Sequence, residues 1–292
     1  MKRWLCCLLL CLLLLPAAVS AEEPAGFLED AEAGKFGRIT HTYDSPTLKY
    51  TVDRFRIDGE RCRLVRVWVQ DPARQIVKAT AEWEKSLEYP KVLAASVEGM
   101  ALAINGSGYV SPKYPEIPEN YPGESKDYFY TPLGSLTVTG GEVLRDLEGV
   151  PYYGIALTGD GLRMYTGEDN ETVLADEPKE TWSFYETCPM LRDNEDLLPE
   201  DWPFADRRAA RTVIARLDKN NYLILVAEMS QRRGITLRRA QSFFRNKFEA
   251  EWVYNLDGGP SSALIVRERG KKKIKVLSGA GAKDFDIMAF IE

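Results

Sequence analysis

Short alternations of apolar and polar residues recur along most of the chain, and their period of two is that of half-buried strands. Leu48, Tyr50, Val52, Phe55 and Ile57 mark a loose example over 47–57. Leu64-Val65-Arg66-Val67-Trp68-Val69 is a clearer one, closed by Asp71-Pro72, with Ile76 to Trp83 as its expected partner. Gly134 to Val143 reads as a strand pair around Thr139-Gly140-Gly141, and 152–158 with 162–166 as a hairpin turning at Gly159-Asp160-Gly161. Trp182 to Tyr185 is a further short strand, and Arg211 to Leu217 with Tyr222 to Glu228 forms a hairpin across Asp218-Lys219-Asn220-Asn221. The tail from Asp286 to Ile291 supplies a last strand. The period becomes helical within 89–100, at Val92, Ala95 and Val97, and again after Thr236. Thr236 is placed to cap a helix reaching Phe248, with Leu237, Ala240, Phe244 and Phe248 on one face. No repeat and no Pro/Gly/Ser linker divides the chain. The expected fold is a single α+β domain with a mixed, hairpin-rich β-sheet core and a few packed helices.

Two of these strands run into polar turns. Ala101 to Ile104 leads to Asn105-Gly106, and Trp252 to Leu256 leads to Asp257-Gly258-Gly259-Pro260 followed by Ser261 and Ser262. The second turn sets a carboxylate and two hydroxyls at the end of a rigid strand, beside backbone that a ligand can approach closely. Consecutive turn amides can also form an anion-binding nest. A plain capped hairpin turn accounts for the same residues. Between 111 and 132 lies a loop rich in Pro and Tyr, including Pro112, Pro118, Tyr121, Pro122 and Tyr128, which fits either a sugar-binding loop or an insertion.

Composition narrows the classes. Lys2 and Arg3 precede an apolar run from Trp4 to Leu15; Pro16 and Val19-Ser20-Ala21 then close a secretory signal peptide over 1–21. A lead-in over 22–46 and a domain over 47–292 follow, with no membrane span expected after cleavage. Cleavage moves the net charge from −6 to −8, which argues against a nucleic-acid partner. The basic run from Arg267 to Lys275 is the local exception and reads as a solvated hairpin. After cleavage Cys62 and Cys188 remain, enough for at most one internal disulfide. The single histidine, His41, is remote from both turns, so catalysis is expected to run on carboxylates, hydroxyls and arginine rather than on a Ser-His-Asp triad. No metal and no cofactor is expected.

Asn255-Leu256-Asp257-Gly258-Gly259-Pro260-Ser261-Ser262 resembles the signature of the phosphodiester glycosidase family. Ala103-Ile104-Asn105-Gly106, Cys188-Pro189-Met190-Leu191, Arg211-Thr212-Val213-Ile214-Ala215 and Gly234-Ile235-Thr236-Leu237 resemble its other segments, in the same order. The resemblance covers roughly 90–290. It implies hydrolysis of the sugar–phosphate bond of a sugar 1-phosphodiester, with a carbohydrate phosphodiester as partner. On that reading Asp257 is the catalytic carboxylate and Glu228 a second acid or base. Arg211 and the amides of Gly258 and Gly259 hold phosphate, while Asn105, Gly106, Ser261 and Ser262 orient substrate oxygens. Pro260, Ala215, Met229 and Cys188 stand where the family pattern has glycine. A secreted module that binds glycans or phosphopolymers without turnover shares these features. An esterase using Ser261 or Ser262 as nucleophile lacks a nearby base.

Overall fold

A computed structural model of the chain describes residues 36–113, 115–185, 188–228, 234–271, 273–279 and 281–292. The expected signal peptide and the lead-in up to residue 35 lie outside the described residues, as does Met229. Two antiparallel sheets face each other. The larger has eight strands, in the order Arg38–Asp44, Leu48–Ile57, Glu60–Val69, Asn221–Ala227, Arg211–Arg216, Trp252–Asn255, Pro189–Arg192 and Glu195–Asp196. The smaller has five, in the order Ile274–Gly279, Ala263–Arg267, Met100–Asn105, Asp286–Ile291 and Ile76–Thr80. A three-stranded sheet (Glu180–Ser183, Tyr152–Thr158, Gly161–Glu168) and the Leu136–Thr139/Glu142–Asp146 hairpin complete it.

Alternation along each strand separates the two faces. Val65, Val67, Ile214, Ile224 and Tyr254 of the large sheet meet Leu102, Ile104, Leu264, Met288 and Phe290 of the small one in a shared core. The opposite face of the large sheet, with Leu64, Val213, Leu225 and Val253, is covered by Leu237, Ala240 and Phe244 of the helix Leu237–Lys247. Thr236 caps that helix by accepting from the Arg239 amide at 3.1 Å. The outer face of the small sheet is covered by Leu93 and Ala94 of the helix Pro90–Ser96. Hairpin turns follow local chemistry: Asp218 accepts from the amides of Asn220 and Asn221 at 2.8 and 2.9 Å and bends the chain between its two strands.

The α+β, hairpin-rich character is as expected, but the pairing differs in three respects. Among the described residues every pair of strands is antiparallel, and the expected mixed character is limited to one parallel bridge, Val110 to Phe129. Ile76–Thr80 does not pair with 64–69; it joins the small sheet beside Asp286–Phe290. The domain also begins earlier than residue 47, because Arg38–Asp44 forms an edge strand paired with Leu48–Ile57. Cys62 and Cys188 are both buried and free. Among the described residues, no helix is long and apolar enough to cross a membrane.

Candidate active site

The chain crosses from one sheet to the other at Asp257. The Leu256 amide still donates to Thr212 O at 2.9 Å, in the large sheet. The next amide, of Asp257, donates to Gly106 O of the small sheet at 3.1 Å, and Gly259 then returns to Ala210 O at 2.9 Å. Asn105 fastens this crossing. Its Nδ2 donates to Asp257 O at 2.8 Å, and its Oδ1 accepts from Thr212 Oγ1 at 2.7 Å and from the Ala263 amide at 2.9 Å. Asn105 is fully buried, so it positions the turn rather than lining open space. The neighbouring glycine is needed for close approach: a Cβ on Gly106 would stand 1.8 Å from Asp286 Oδ1.

Asp257 is half-buried, and its carboxyl is raised to about 6, first because protein replaces water around it. The Ser261 hydroxyl and the Gly258 amide act against this by hydrogen bonding; Asp286 raises it further and Arg211 lowers it. Asp286 is itself tightly held: it accepts from the Ser107 amide at 2.6 Å and the Ser107 hydroxyl at 2.9 Å, and Lys78 Nζ is 3.4 Å away. Lys78 also lies over the Trp182 ring. The third acid, Asp284, is fully buried. Its Oδ1 accepts from the Phe285 amide at 2.8 Å, while Oδ2 has no partner. Burial, together with the charges of Asp257 and Asp286, holds Asp284 well above the usual carboxylate range. Among the described residues, no group of three His, Cys, Asp or Glu is arranged to hold a metal ion.

Arg211 opens the strand next to this crossing. Its Nη2 donates to Arg207 O at 2.7 Å and Phe204 O at 3.3 Å, and its guanidinium lies 4.6 Å from the centroid of the Phe204 ring. The residue is 1% exposed, its Nε has no partner, and no ion pair involves it among the described residues. Burial pulls its pKa down to about 10. Phe184, Tyr185, Trp202 and Phe204 form a half-buried aromatic row beside it, with Phe184 and Tyr185 rings 4.5 Å apart and Trp202 and Phe204 rings 5.0 Å apart. The 111–132 loop reaches this region through Pro118, Asn120 and Tyr121, which share a small pocket with Phe184 and Tyr153.

Asn105, Gly106, Arg211, Asp257, Gly258, Gly259, Ser261 and Ser262 thus meet at one crossing. Ser262 is buried and its hydroxyl has no partner. The expected phosphate grip of the two glycine amides needs correction: Gly258 N–H donates to the Asp257 carboxylate at 2.7 Å and Gly259 N–H to Ala210 O, so both are already engaged. Pro260 has no N–H to replace them. Glu228 lies just past Ala227, which pairs with Arg211, but its carboxylate is turned to Arg63 Nε at 3.0 Å. Asp284, Asp286, Ser107 and Lys78 were not anticipated. The available signal was Asp284-Phe285-Asp286 at the head of a strand, two acids flanking an aromatic that belongs inside.

These features define an antiparallel α+β protein with a desolvated carboxylate and, among the described residues, a buried arginine without an ion pair, where two sheets exchange a strand end. The phosphodiester glycosidase family matches residues 98–286, and the chain belongs to that family. Among solved structures, the chain is similar to the catalytic domain of zebrafish N-acetylglucosamine-1-phosphodiester alpha-N-acetylglucosaminidase, described as auto-inhibited by its pro-peptide. The TM-score is 0.62 at 15% identity, with 87% of each chain covered. It is also similar to a hypothetical protein from Synechocystis, with a TM-score of 0.52 at 15% identity over 88% of this chain and 64% of that one. Among curated proteins, none matches.

Proposed function

We propose that this chain is a secreted hydrolase that cleaves the sugar–phosphate bond of a sugar 1-phosphodiester. The observation that carries the reading is the juxtaposition of Arg211, a buried cation with no ion pair among the described residues, and Asp257, a carboxylate poised near neutrality whose charge it feels. A buried guanidinium without an anion is costly, and a phosphate diester offsets that cost through two-point hydrogen bonding. Bond breaking leaves positive charge on the sugar ring and negative charge on the departing phosphate monoester. Asp257, ionised above about pH 6, stabilises the first, and Arg211 the second. The departing monoester is a good leaving group and needs little acid assistance. With both glycine amides engaged, phosphate recognition falls to Arg211 and the Ser262 hydroxyl. Glu228, whose carboxylate is paired with Arg63, is the remaining candidate for an acid or base.

Export rests on the charged start, the apolar run and the small residues ending at Ala21. The deciding experiment is turnover of a panel of sugar 1-phosphodiesters by the mature chain and by Asp257→Asn. Release of free sugar by the parent and not by the variant supports the reading. Saturable binding of the panel with no release by the parent refutes it in favour of a binding module.

A further inference from the structure

A phenol taken out of water needs a hydrogen-bond partner. Among the described residues every buried tyrosine has one, Tyr152 and Tyr254 near the crossing included, and donates its hydroxyl to a carbonyl or a carboxylate. Tyr185 differs. Its ring is half-buried among other rings, yet its hydroxyl makes no hydrogen bond to any described residue. Burial first, and then the charges of Glu116, Cys188 and Asp257, push this phenol up to about 12. Near neutrality it therefore keeps its proton and serves as a donor rather than a nucleophile.

The backbone around Tyr185 is fastened to both halves of the crossing. On one side the Gly108 amide donates to Ser183 O at 2.9 Å and the Ser183 amide to Ser107 Oγ at 3.3 Å, just beyond Asn105-Gly106. Gly108 permits this approach, for a Cβ there would stand 1.9 Å from Phe184 Cδ2. On the other side the Phe184 amide donates to Tyr254 Oη at 3.0 Å and the Cys188 amide to Tyr185 O at 3.0 Å. Cys188 O in turn accepts from the Asn255 amide at 2.9 Å. Tyr254 and Asn255 belong to the strand that runs into Asp257. The Tyr185 ring centroid is 4.5 Å from that of Phe184 and 6.4 Å from that of Phe204, the ring that carries the Arg211 guanidinium at 4.6 Å. Phe184 and Tyr185 also pack on the Val110, Tyr128 and Leu133 cluster, together with Ile117 and Tyr121 of the 111–132 loop.

A departing phosphate monoester gathers negative charge and is stabilised by fixed donors aimed at its oxygens. The turn supplies few: both glycine amides are engaged, and Pro260 has none. Arg211 and the Ser262 hydroxyl remain. We propose that Tyr185 is a further substrate-contacting residue, whose hydroxyl donates to a non-bridging oxygen of the phosphate that Arg211 holds. The proposal rests on the hydrolytic reading above. Cation and phenol flank one ring, Phe204, and both are fixed by packing before substrate arrives. A neutral donor beside a cation suits an anion, and it adds direction without a further charge to desolvate.

The test compares the mature chain with Tyr185→Phe, which removes one oxygen and keeps the ring contacts. Methyl phosphate, a mimic of the departing monoester, is titrated into each by calorimetry, and the sugar 1-phosphodiester panel reads turnover. The parent should bind methyl phosphate, and the variant should bind it about tenfold or more weakly. The variant's kcat/KM should fall about tenfold to a hundredfold, with kcat sharing the loss because the hydrogen bond strengthens as charge gathers on the phosphate. Melting temperature and the pH dependence set by Asp257 should be alike in both. Where Tyr185→Phe fails to fold, a ring-fluorinated tyrosine at position 185 keeps the hydroxyl, and its fluorine NMR signal should shift on saturation with methyl phosphate. A signal that does not move overturns the proposal. So does equal methyl phosphate binding by parent and variant, or none by the parent. A displaced pH profile with equal methyl phosphate binding likewise overturns it and makes the phenol a partner of Asp257 instead. If the parent turns over no compound of the panel while methyl phosphate binding depends on Tyr185, the hydrolytic reading fails and the phosphate contact stands.

Discussion

Asp257→Asn separates charge from shape at the centre of the site. The folded chain raises this carboxyl from 3.8 to about 6, chiefly by desolvation. Over that interval the folded state binds the proton more tightly than the unfolded state. Stability from this group therefore falls as pH rises through the interval and is lowest above about 6. The gap corresponds to on the order of 3 kcal/mol, with the opposing effects of Ser261, Gly258 and Arg211 already included. Asparagine keeps an acceptor for the Gly258 amide and turns an NH₂ toward Ser261, whose hydroxyl can rotate to accept. Calorimetry should find parent and variant melting together near about pH 4. At about pH 7.5 the variant should melt higher, by at most about 5–10 °C. Its kcat should fall about 100-fold or more. In the parent, kcat/KM should climb with pH through about 6, a limb the variant lacks. A variant that melts lower than the parent by the same margin at both pH values would show that the carboxylate holds the turn and is not desolvated. Full turnover would remove Asp257 from the chemistry and make Glu228→Gln the next variant to measure.

Arg211→Lys keeps one charge and loses the two-point grip, so steady-state kinetics should show KM raised several-fold together with a lower kcat; unchanged KM refutes the phosphate role. Asn105→Ala removes three hydrogen bonds at the crossing and leaves the Ala263 amide and Asp257 carbonyl unpaired. Urea unfolding should report a loss of about 2–4 kcal/mol, and a loss near zero refutes the fastening role. Mass spectrometry of exported material should find Glu22 at the N-terminus, and a retained Met1 rules out the signal peptide.

What the sequence showed was what local chemistry decides. The Arg211–Arg216/Asn221–Ala227 hairpin is legible because Asp218 and its neighbours make the turn, and the Thr236 helix because its cap and apolar face agree. The partner of Ile76–Thr80 is not legible: alternation tells which face a strand buries, never which of many distant strands lies beside it, and Asp286–Phe290 is some two hundred residues away. Arg38–Asp44 escapes notice because an edge strand with mostly half-buried and exposed positions has little apolar signal. The same division runs through the site. Asp257, Arg211 and Asn105 stand out as chemical residue types at strand ends. Asp284 and Asp286 do not, because only tertiary packing turns two ordinary strand acids into buried neighbours of a third. Gly106 shows how far a motif can mislead about cause. Asn105-Gly106 reads as a turn that needs glycine for its backbone angles, yet Gly106 is not among the residues with positive φ. It is glycine because Asp286 occupies the space a Cβ would take. The turn thus brings a carboxylate against the backbone that receives the Asp257 amide, and the charge of Asp286 is one cause of the raised pKa of Asp257. A side chain at 106 would push these groups apart, so the glycine sets the electrostatics of the site as well as its packing.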